Sequence, residues 1–106
     1  MAHFVQEGKI LDYTNAGETA IAYGEVIKGT DCIFIAAETI QPGATGGMRA
    51  TGVFEFPSVK TAAFTVGQKV YWDGSKITNT DTSNTYAGIV VAPKTSSEEI
   101  AFVRIG

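Results

Sequence analysis

Short runs of β-prone residues alternate with turn residues along the whole chain. Glycine, proline, threonine, asparagine, aspartate and serine interrupt the apolar runs at intervals of roughly ten residues, a spacing typical of a β-sandwich or barrel. The pattern predicts an all-β fold, a small β-barrel or clip-like β-sandwich. At most one short helical turn is expected, at residues 58–64, where small and polar residues cluster.

The individual strands are predicted from these runs. A continuous apolar run at 32–37 predicts a strand that is covered on both faces or lies buried at the centre of a sheet. Asp73 and Gly74 supply a hairpin-turn signal, whereas the proline and glycines of 41–47 predict a loop. The segments predicted to be strands are 3–6, 9–14, 25–28, 32–37, 48–56, 68–72, 76–79, 86–92 and 100–105.

The longest of these segments, 48–56, alternates with a period of two, as a strand with one apolar face does. Pro57 ends it. The side chains predicted on the apolar face are Met48, Ala50, Gly52, Phe54 and Phe56, and those on the mixed face are Arg49, Thr51, Val53 and Glu55.

Two segments of the chain resemble each other. Residues 24–29 (GEVIKG) are similar to residues 67–74 (GQKVYWDG), and each segment is followed later by a glycine–aliphatic pair, Gly52-Val53 and Gly88-Ile89. Two interpretations are open: an internal duplication, or a chance likeness between turn–strand–turn units.

The length of the chain limits the number of domains, and its charge limits the partners that it can bind. The 106 residues fit one domain, 1–106, with residues 1–7 as a candidate mobile N-terminal arm. The net charge is −3, and the eight lysines and arginines are scattered, whereas binding to nucleic acid usually needs clustered cations. No stretch approaches the ~18 apolar residues of a membrane span, and the N-terminus lacks the regions of a signal peptide. We therefore expect neither a nucleic-acid nor a membrane partner, and synthesis in a cytoplasm.

Residues that could perform chemistry are few. His3 and Cys32 are the only histidine and the only cysteine, and together they supply two of the four ligands of a zinc site. Cys32 lies in an apolar run, which predicts a buried thiol. Gly8-Lys9 is followed by Ile10 rather than by the serine or threonine of a phosphate-binding loop. The sequence thus predicts that the protein is not an enzyme, with no catalytic residue, no cofactor and no metal.

Four aromatic residues fall on predicted strands: Phe54, Phe56, Tyr71 and Trp72. Aromatic side chains on a β-surface can stack nucleic-acid bases, but this chain has no basic residues clustered to follow phosphates. Packing in the core or in a protein interface is the better explanation, since tryptophan is enriched at the energetic centres of interfaces. These four residues are the candidate oligomer interface.

A series of motifs runs through the chain in a fixed order. GVFEFP at 52–57 is followed by GQKVYWD at 67–73, SNTYAGIV at 83–90 and VRI at 103–105, and FVQEG at 4–8 precedes them. In order and spacing the chain resembles the capsid cement (head decoration) proteins of tailed bacteriophages over nearly its whole length. Gln68 and Ser83 depart from the aspartate and glycine that are usual in that family.

The resemblance implies a structural protein that binds the outside of an assembled phage head and reinforces it. The implied partners are the phage major capsid protein and further copies of the chain, as a homotrimer. The implied location is the capsid surface of the virion, and the host cytoplasm during assembly. No catalytic residues are carried over, because the family motifs are structural.

The N-terminal residues are the candidate capsid-contact arm: Ala2, His3, Phe4, Val5 and Gln6. Such an arm could add a strand to the edge of a capsid sheet. Alternatively, Phe4 and Val5 begin the first strand of the domain itself. Both interpretations stay open.

Two other functions are the alternatives. The first is a different virion component, for a tail or for head completion. The second is a small-ligand-binding β-barrel, which would need an enclosed pocket with convergent polar groups. The sequence shows no such cluster of polar residues.

Overall fold

The computed structural model describes residues 2–3 and 8–106, and all regular structure in this part of the chain is β-strand. Nine strands form two antiparallel sheets, so the all-β prediction is confirmed. The strands are β1 (Ile10–Thr14), β2 (Val26–Lys28), β3 (Ile33–Ala36), β4 (Thr45–Arg49), β5 (Gly52–Pro57), β6 (Lys69–Trp72), β7 (Ile77–Thr78), β8 (Thr85–Val90) and β9 (Ile100–Ile105).

Most predicted strands are present, with ends that shift by one or two residues. The strand over Ile100–Ile105 has the predicted ends, and β3 is largely buried on both faces, as its continuous apolar run indicated. Residues 58–64 form a turn between two single bridges and no helix. Of the predicted segment 3–6, residues 4–6 lie outside the described part of the chain.

The prediction of one long strand over 48–56 is wrong. The segment holds the end of β4 and most of β5, which lie in different sheets. The break falls at Gly52, whose φ of 135° is accessible to glycine and strained for other residues. The predicted loop 41–47 is correspondingly too long, because β4 already begins at Thr45. The predicted alternation holds within β5, where Val53 and Glu55 are exposed and Phe56 is buried.

Contacts between residues divide the chain into two compact units. The first comprises Met1–Ile27 and Phe34–Thr51, and the second comprises Lys28–Ile33 and Gly52–Gly106. The sheet of the first unit has the strand order β1-β4-β3-β2. Its core is a cluster of Ile27, Ala36 and Met48, against which Leu11, Tyr13, Ile21 and Phe34 pack.

The second unit is built on the sheet β5-β9-β8-β6-β7. A parallel bridge between Ser58 and Ile77 joins the end of β5 to β7, so the two edges of this sheet meet at one point without closing a barrel. A β-bulge interrupts the β6–β8 pairing between Val70 and Tyr71. Fully buried side chains fill its interior: Phe64, Val70, Ile77, Val90, Val103 and Ile105.

The two units repeat one arrangement of four strands. In sheet order, β1-β4-β3-β2 corresponds to β5-β9-β8-β6, and β7 is an addition at the end of the second sheet. The glycine that precedes the second strand is equivalent in the two units. The Gly24 N–H donates to the Ala36 carbonyl at 2.9 Å, and the Gly67 N–H donates to the Val90 carbonyl at 2.8 Å. Both glycines have positive φ, 84° and 90°.

Further backbone hydrogen bonds follow the same repeat. Ile21 and Ile40 exchange two N–H to carbonyl bonds in the first unit, and Phe64 and Lys94 do so in the second. Of the two open interpretations of the sequence likeness, these bonds support an internal duplication. The proposed match of Gly52-Val53 with Gly88-Ile89 is wrong, however, because Gly52 begins an edge strand and Gly88 lies inside β8.

The prediction of a buried thiol at Cys32 is also wrong. Cys32 is exposed, because β3 begins at Ile33 and leaves the cysteine in the turn that joins β2 to β3. There its carbonyl accepts a hydrogen bond from the Gly29 N–H at 2.8 Å. Membership of an apolar run did not place this residue inside the strand.

Candidate interaction surfaces

Three of the four predicted interface aromatics lie together in the second unit. The Phe56 ring lies between Phe54 and Trp72, with ring centroids 6.3 Å and 6.1 Å away and both neighbours tilted toward an edge-on arrangement. Phe56 is only 2% exposed, so it packs within its own sheet. Phe54 and Trp72 are half-buried. These two side chains therefore form the part of the cluster that another molecule can contact.

Tyr71 is separated from that cluster by the alternation of β6. Its ring packs against Tyr86, with a centroid distance of 6.0 Å and an interplanar angle of 70°. Neighbouring residues of a strand point to opposite faces, so Tyr71 and Trp72 cannot belong to one flat patch. The structure brings together Phe54, Phe56 and Trp72, and it places Tyr71 beside Tyr86 instead.

The candidate N-terminal arm is described only in part. Ala2 and His3 are exposed. Phe4, Val5 and Gln6 lie outside the described residues, so both interpretations of the arm stay predictions.

A different apolar surface was missed by the sequence analysis. It is the face of the second sheet formed by β5, β9 and the end of β8, and we call it the outer sheet face. Its apolar side chains are unusually exposed for their type: Val53 58%, Ile100 44%, Phe102 39% and Val91 39%. A signal was present in β9, because Ile100 and Phe102 alternate with the buried Ala101, Val103 and Ile105, which makes this strand apolar on both faces.

Two opposite charges share the outer sheet face. Glu55 lies opposite Phe102 in the β5–β9 register, and Arg104 lies opposite Val53. Directly paired residues of antiparallel strands point to the same side of the sheet. Among the described residues, neither Glu55 nor Arg104 has an ion-pair partner. Both charges are therefore available to another molecule.

An ion pair lies close by, between Lys60 and Glu99, with Nζ and Oε1 2.7 Å apart. The hydrogen bond and the charge of Glu99 raise the pKa of Lys60, and the same contact lowers the pKa of Glu99. Both side chains are largely exposed, so water and salt screen this attraction. It holds the segment after β5 near the start of β9 but does not form a reactive site.

The buried polar side chains serve the fold. The Lys94 ammonium donates to the carbonyls of Ala62 and Thr95 at 2.5 Å and 3.0 Å. The Asn15 amide donates to the carbonyls of Thr19 and Ile40 at 2.8 Å and 3.0 Å. In the described part of the chain, every buried side-chain nitrogen or oxygen has a hydrogen-bond partner. None is left pointing at a site for a ligand.

A metal centre is likewise not assembled within residues 2–3 and 8–106, where no three histidine, cysteine, aspartate or glutamate side chains cluster. The same residues contain no helix that is long and apolar enough to cross a membrane. Among the described residues, the outer sheet face exposes several apolar side chains together, and the half-buried Phe54 and Trp72 offer a smaller apolar surface. Exposed apolar patches of this kind mark surfaces that contact other proteins.

The fold and these surfaces define a small all-β protein with exposed apolar surface of the kind that contacts other proteins. The chain belongs to the phage cement protein family, whose family model matches residues 5–105. This match confirms the resemblance found in the sequence. It supports a structural role in the phage capsid and implies a location in the virion. Comparisons with curated proteins and with solved structures gave no match.

Proposed function

We propose that this protein binds the outer surface of an assembled phage head and stabilises the head without catalysing a reaction. The observation that carries the proposal is the family match over residues 5–105. The proposed partners are the major capsid protein and further copies of the chain, as a homotrimer. Nucleic acid and membranes are not among the proposed partners, and assembly takes place in the host cytoplasm.

The surface chemistry suits a protein partner. Val53, Ile100 and Phe102 leave apolar area in contact with water, and removing such area from water provides the main driving force for association. The net charge of −3 gives the molecule no attraction to packaged nucleic acid, whose backbone is also negative.

Stabilisation of the head follows from mass action. A ligand that binds only the assembled shell favours that shell over its dissociated or ruptured forms. Copies that also contact one another bind with increased strength, because each bound copy raises the effective concentration of its neighbours. A small domain can in this way reinforce a large lattice even if each single contact is weak.

The direct test is to mix the purified protein with heads that lack it, in both the unexpanded and the expanded state, and to sediment the heads. We expect the protein to sediment with at least one of the two states and to raise the temperature at which those heads rupture. Failure to sediment with either state would contradict the proposal. So would electron-microscopy density confined to the head–tail joint, with the capsid faces bare.

A pair of substitutions adds a matched comparison. Val53→Ser changes an exposed apolar residue of the outer sheet face, and Val66→Ser changes a similarly exposed valine in a turn of the same unit. The two variants remove similar apolar area, so a difference in head binding between them reports the importance of the face rather than of general hydrophobicity.

A further inference from the structure

The residues of the outer sheet face form a grid in which rows cross the strands β5, β9 and β8. The β5–β9 register places Val53 opposite Arg104, Glu55 opposite Phe102 and Pro57 opposite Ile100. On β8, Ile89 lies opposite Arg104, and the Val91 N–H donates to the Phe102 carbonyl at 3.0 Å. The rows are therefore Val53–Arg104–Ile89, Glu55–Phe102–Val91 and Pro57–Ile100.

This grid is chemically symmetric about the diagonal that passes through Val53 and Phe102. Reflection across this diagonal brings the position of Glu55 onto the position of Arg104, so an acid corresponds to a base. The same reflection brings Ile100 onto Val91 and Pro57 onto Ile89, so that apolar residues correspond to apolar residues. Residues two apart on a strand are separated by about 6.8 Å and adjacent strands by about 4.8 Å. The flexible glutamate and arginine side chains can span the difference between these two spacings.

We propose that the outer sheet face binds the same face of a second copy of this chain, about a two-fold axis along the Val53–Phe102 diagonal. Such an isologous contact requires a surface that is complementary to itself. Here Phe102 meets Phe102 of the second copy, and Glu55 and Arg104 form two reciprocal ion pairs between the copies. The charge complementarity is the observation that favours a second copy over an unrelated protein, because both charges lack an ion-pair partner among the described residues.

The two-fold contact is distinct from a trimer contact, since a surface that pairs with itself closes after two copies. It would connect a copy in one trimer to a copy in the next. Self-association in solution and sedimentation with heads are measured separately. Failure of the two-fold contact would leave the proposed function intact, and failure to bind heads would leave this contact intact.

The test is analytical ultracentrifugation of four samples over a range of concentrations: the wild-type protein, Glu55→Arg, Arg104→Glu, and an equal mixture of the two variants. Glu55→Arg brings arginines together twice per contact, and Arg104→Glu does the same with glutamates, so each should weaken self-association by about a hundredfold or more. The mixture should recover self-association. In a mixed pair, the arginine introduced at position 55 meets the glutamate introduced at position 104, and the unchanged Arg104 meets the unchanged Glu55, so all four charges are paired.

The first unit offers matched controls. Asp12 and Arg49 occupy the positions in β1 and β4 that Glu55 and Arg104 occupy in β5 and β9. Asp12→Arg and Arg49→Glu make the same changes of charge in the equivalent sheet and should leave self-association unchanged. Thermal unfolding of every variant establishes whether it is folded.

Each outcome decides the proposal. The proposal is supported if the wild-type protein doubles in mass with rising concentration, either variant abolishes this doubling, and the mixture restores it. A hexamer that the variants reduce to a trimer is one such doubling. A wild-type protein that is monomeric at all concentrations overturns it, and so does a mixture that stays dissociated. Variants that self-associate like the wild type but no longer sediment with heads would assign this face to the capsid instead and would also overturn it.

Discussion

Lys94 and Phe64 are joined by two backbone hydrogen bonds, each N–H donating to the other residue's carbonyl at 3.0 Å, and the Lys94 ammonium lies 4.9 Å from the centre of the Phe64 ring. The lysine is buried, and among the described residues no carboxylate lies within ion-pair distance of it, although the pKa of the exposed Glu98 is lowered by hydrogen bonds from Thr95 and also by the Lys94 charge. The ammonium is instead held by two carbonyls and an aromatic face, an arrangement in which π-electrons contribute to binding a desolvated cation.

We expect Lys94→Met to lower the free energy of unfolding by about 1–3 kcal/mol, because the methionine keeps the aliphatic stem but leaves the carbonyls of Ala62 and Thr95 without this donor. The measurement is denaturant unfolding. Lys28→Met, at an exposed strand position, is the control and should change stability little. Equal effects of the two substitutions would show that the buried ammonium contributes nothing.

Asn15 connects three parts of the first unit. Its amide donates to the carbonyls of Thr19 and Ile40, and its Oδ1 accepts from the Gly17 N–H at 3.0 Å. Asn15→Ala should reduce the free energy of unfolding by about 2 kcal/mol, since buried partners lose their hydrogen bonds. Asn84→Ala removes a single exposed bond to the Thr80 carbonyl and should have a smaller effect in the same denaturation experiment.

Gly88 is required for the approach of β8 to β9. A Cβ atom at this position would collide with the carbonyl oxygen of Arg104 and contact the Val103 side chain at 3.0 Å. The carbonyl belongs to the neighbouring strand and cannot move without disrupting the sheet. We expect Gly88→Ala to destabilise the protein by about 3 kcal/mol or more, as overpacking of a core does.

The control for Gly88 is Gly67→Ala. An added Cβ at Gly67 meets no atom within 4 Å, but the φ of 90° is unfavourable for alanine. Strain of this kind is worth about 1–3 kcal/mol. A thermal midpoint that falls no further for Gly88→Ala than for Gly67→Ala would contradict the predicted collision.

The pKa of Asp73 is held below its ordinary value of 3.8, chiefly because its carboxylate accepts hydrogen bonds from the N–H groups of Ser75 and Lys76. A folded pKa below the unfolded pKa means that this carboxylate stabilises the fold above the unfolded pKa. The contribution is lost as the pH falls through the folded pKa. The carboxylate lies at the surface, so the effect is small and is weakened by salt.

The corresponding experiment compares the wild-type protein with Asp73→Asn across the acid range. We expect the wild type to be more stable near neutral pH and the difference to shrink as the pH falls below the folded pKa, since both side chains are then uncharged. A difference in unfolding free energy that stays constant between neutral and acid pH would refute a role for the charge.

Local signals in the sequence predicted much of the fold. The Asp73-Gly74 pair marked a hairpin, and the Asp73 carboxylate closes that turn by binding the N–H groups that follow it. Strand β9 was predicted from its own composition. The break at Gly52 was hidden, because positions 48–56 keep a period of two across it and a positive φ leaves no trace in a hydrophobic pattern.

The repeat and the outer sheet face were harder to predict, for physical reasons. The bonds that define the repeat are between backbone atoms, and these do not constrain the side chains. Equivalent positions can therefore hold Ile40 and Lys94, both buried. The outer sheet face was hard to predict because alternation in β5 places Val53 and Phe56 on opposite faces of the sheet but does not show which of the two faces the rest of the chain covers.

The hairpin that contains β7 shows where this architecture accepts additional residues. In the first sheet the chain passes from β2 to β3 through residues 29–32, whereas in the second sheet it passes from β6 to β8 through β7 and residues 79–84. The extra chain leaves the order of the four common strands unchanged. Residues 79–83 are exposed, and they end in a left-handed Ser83 with φ 61°. In engineering terms this loop is a natural insertion point, and a foreign peptide grafted there would leave the common four-strand frame unchanged.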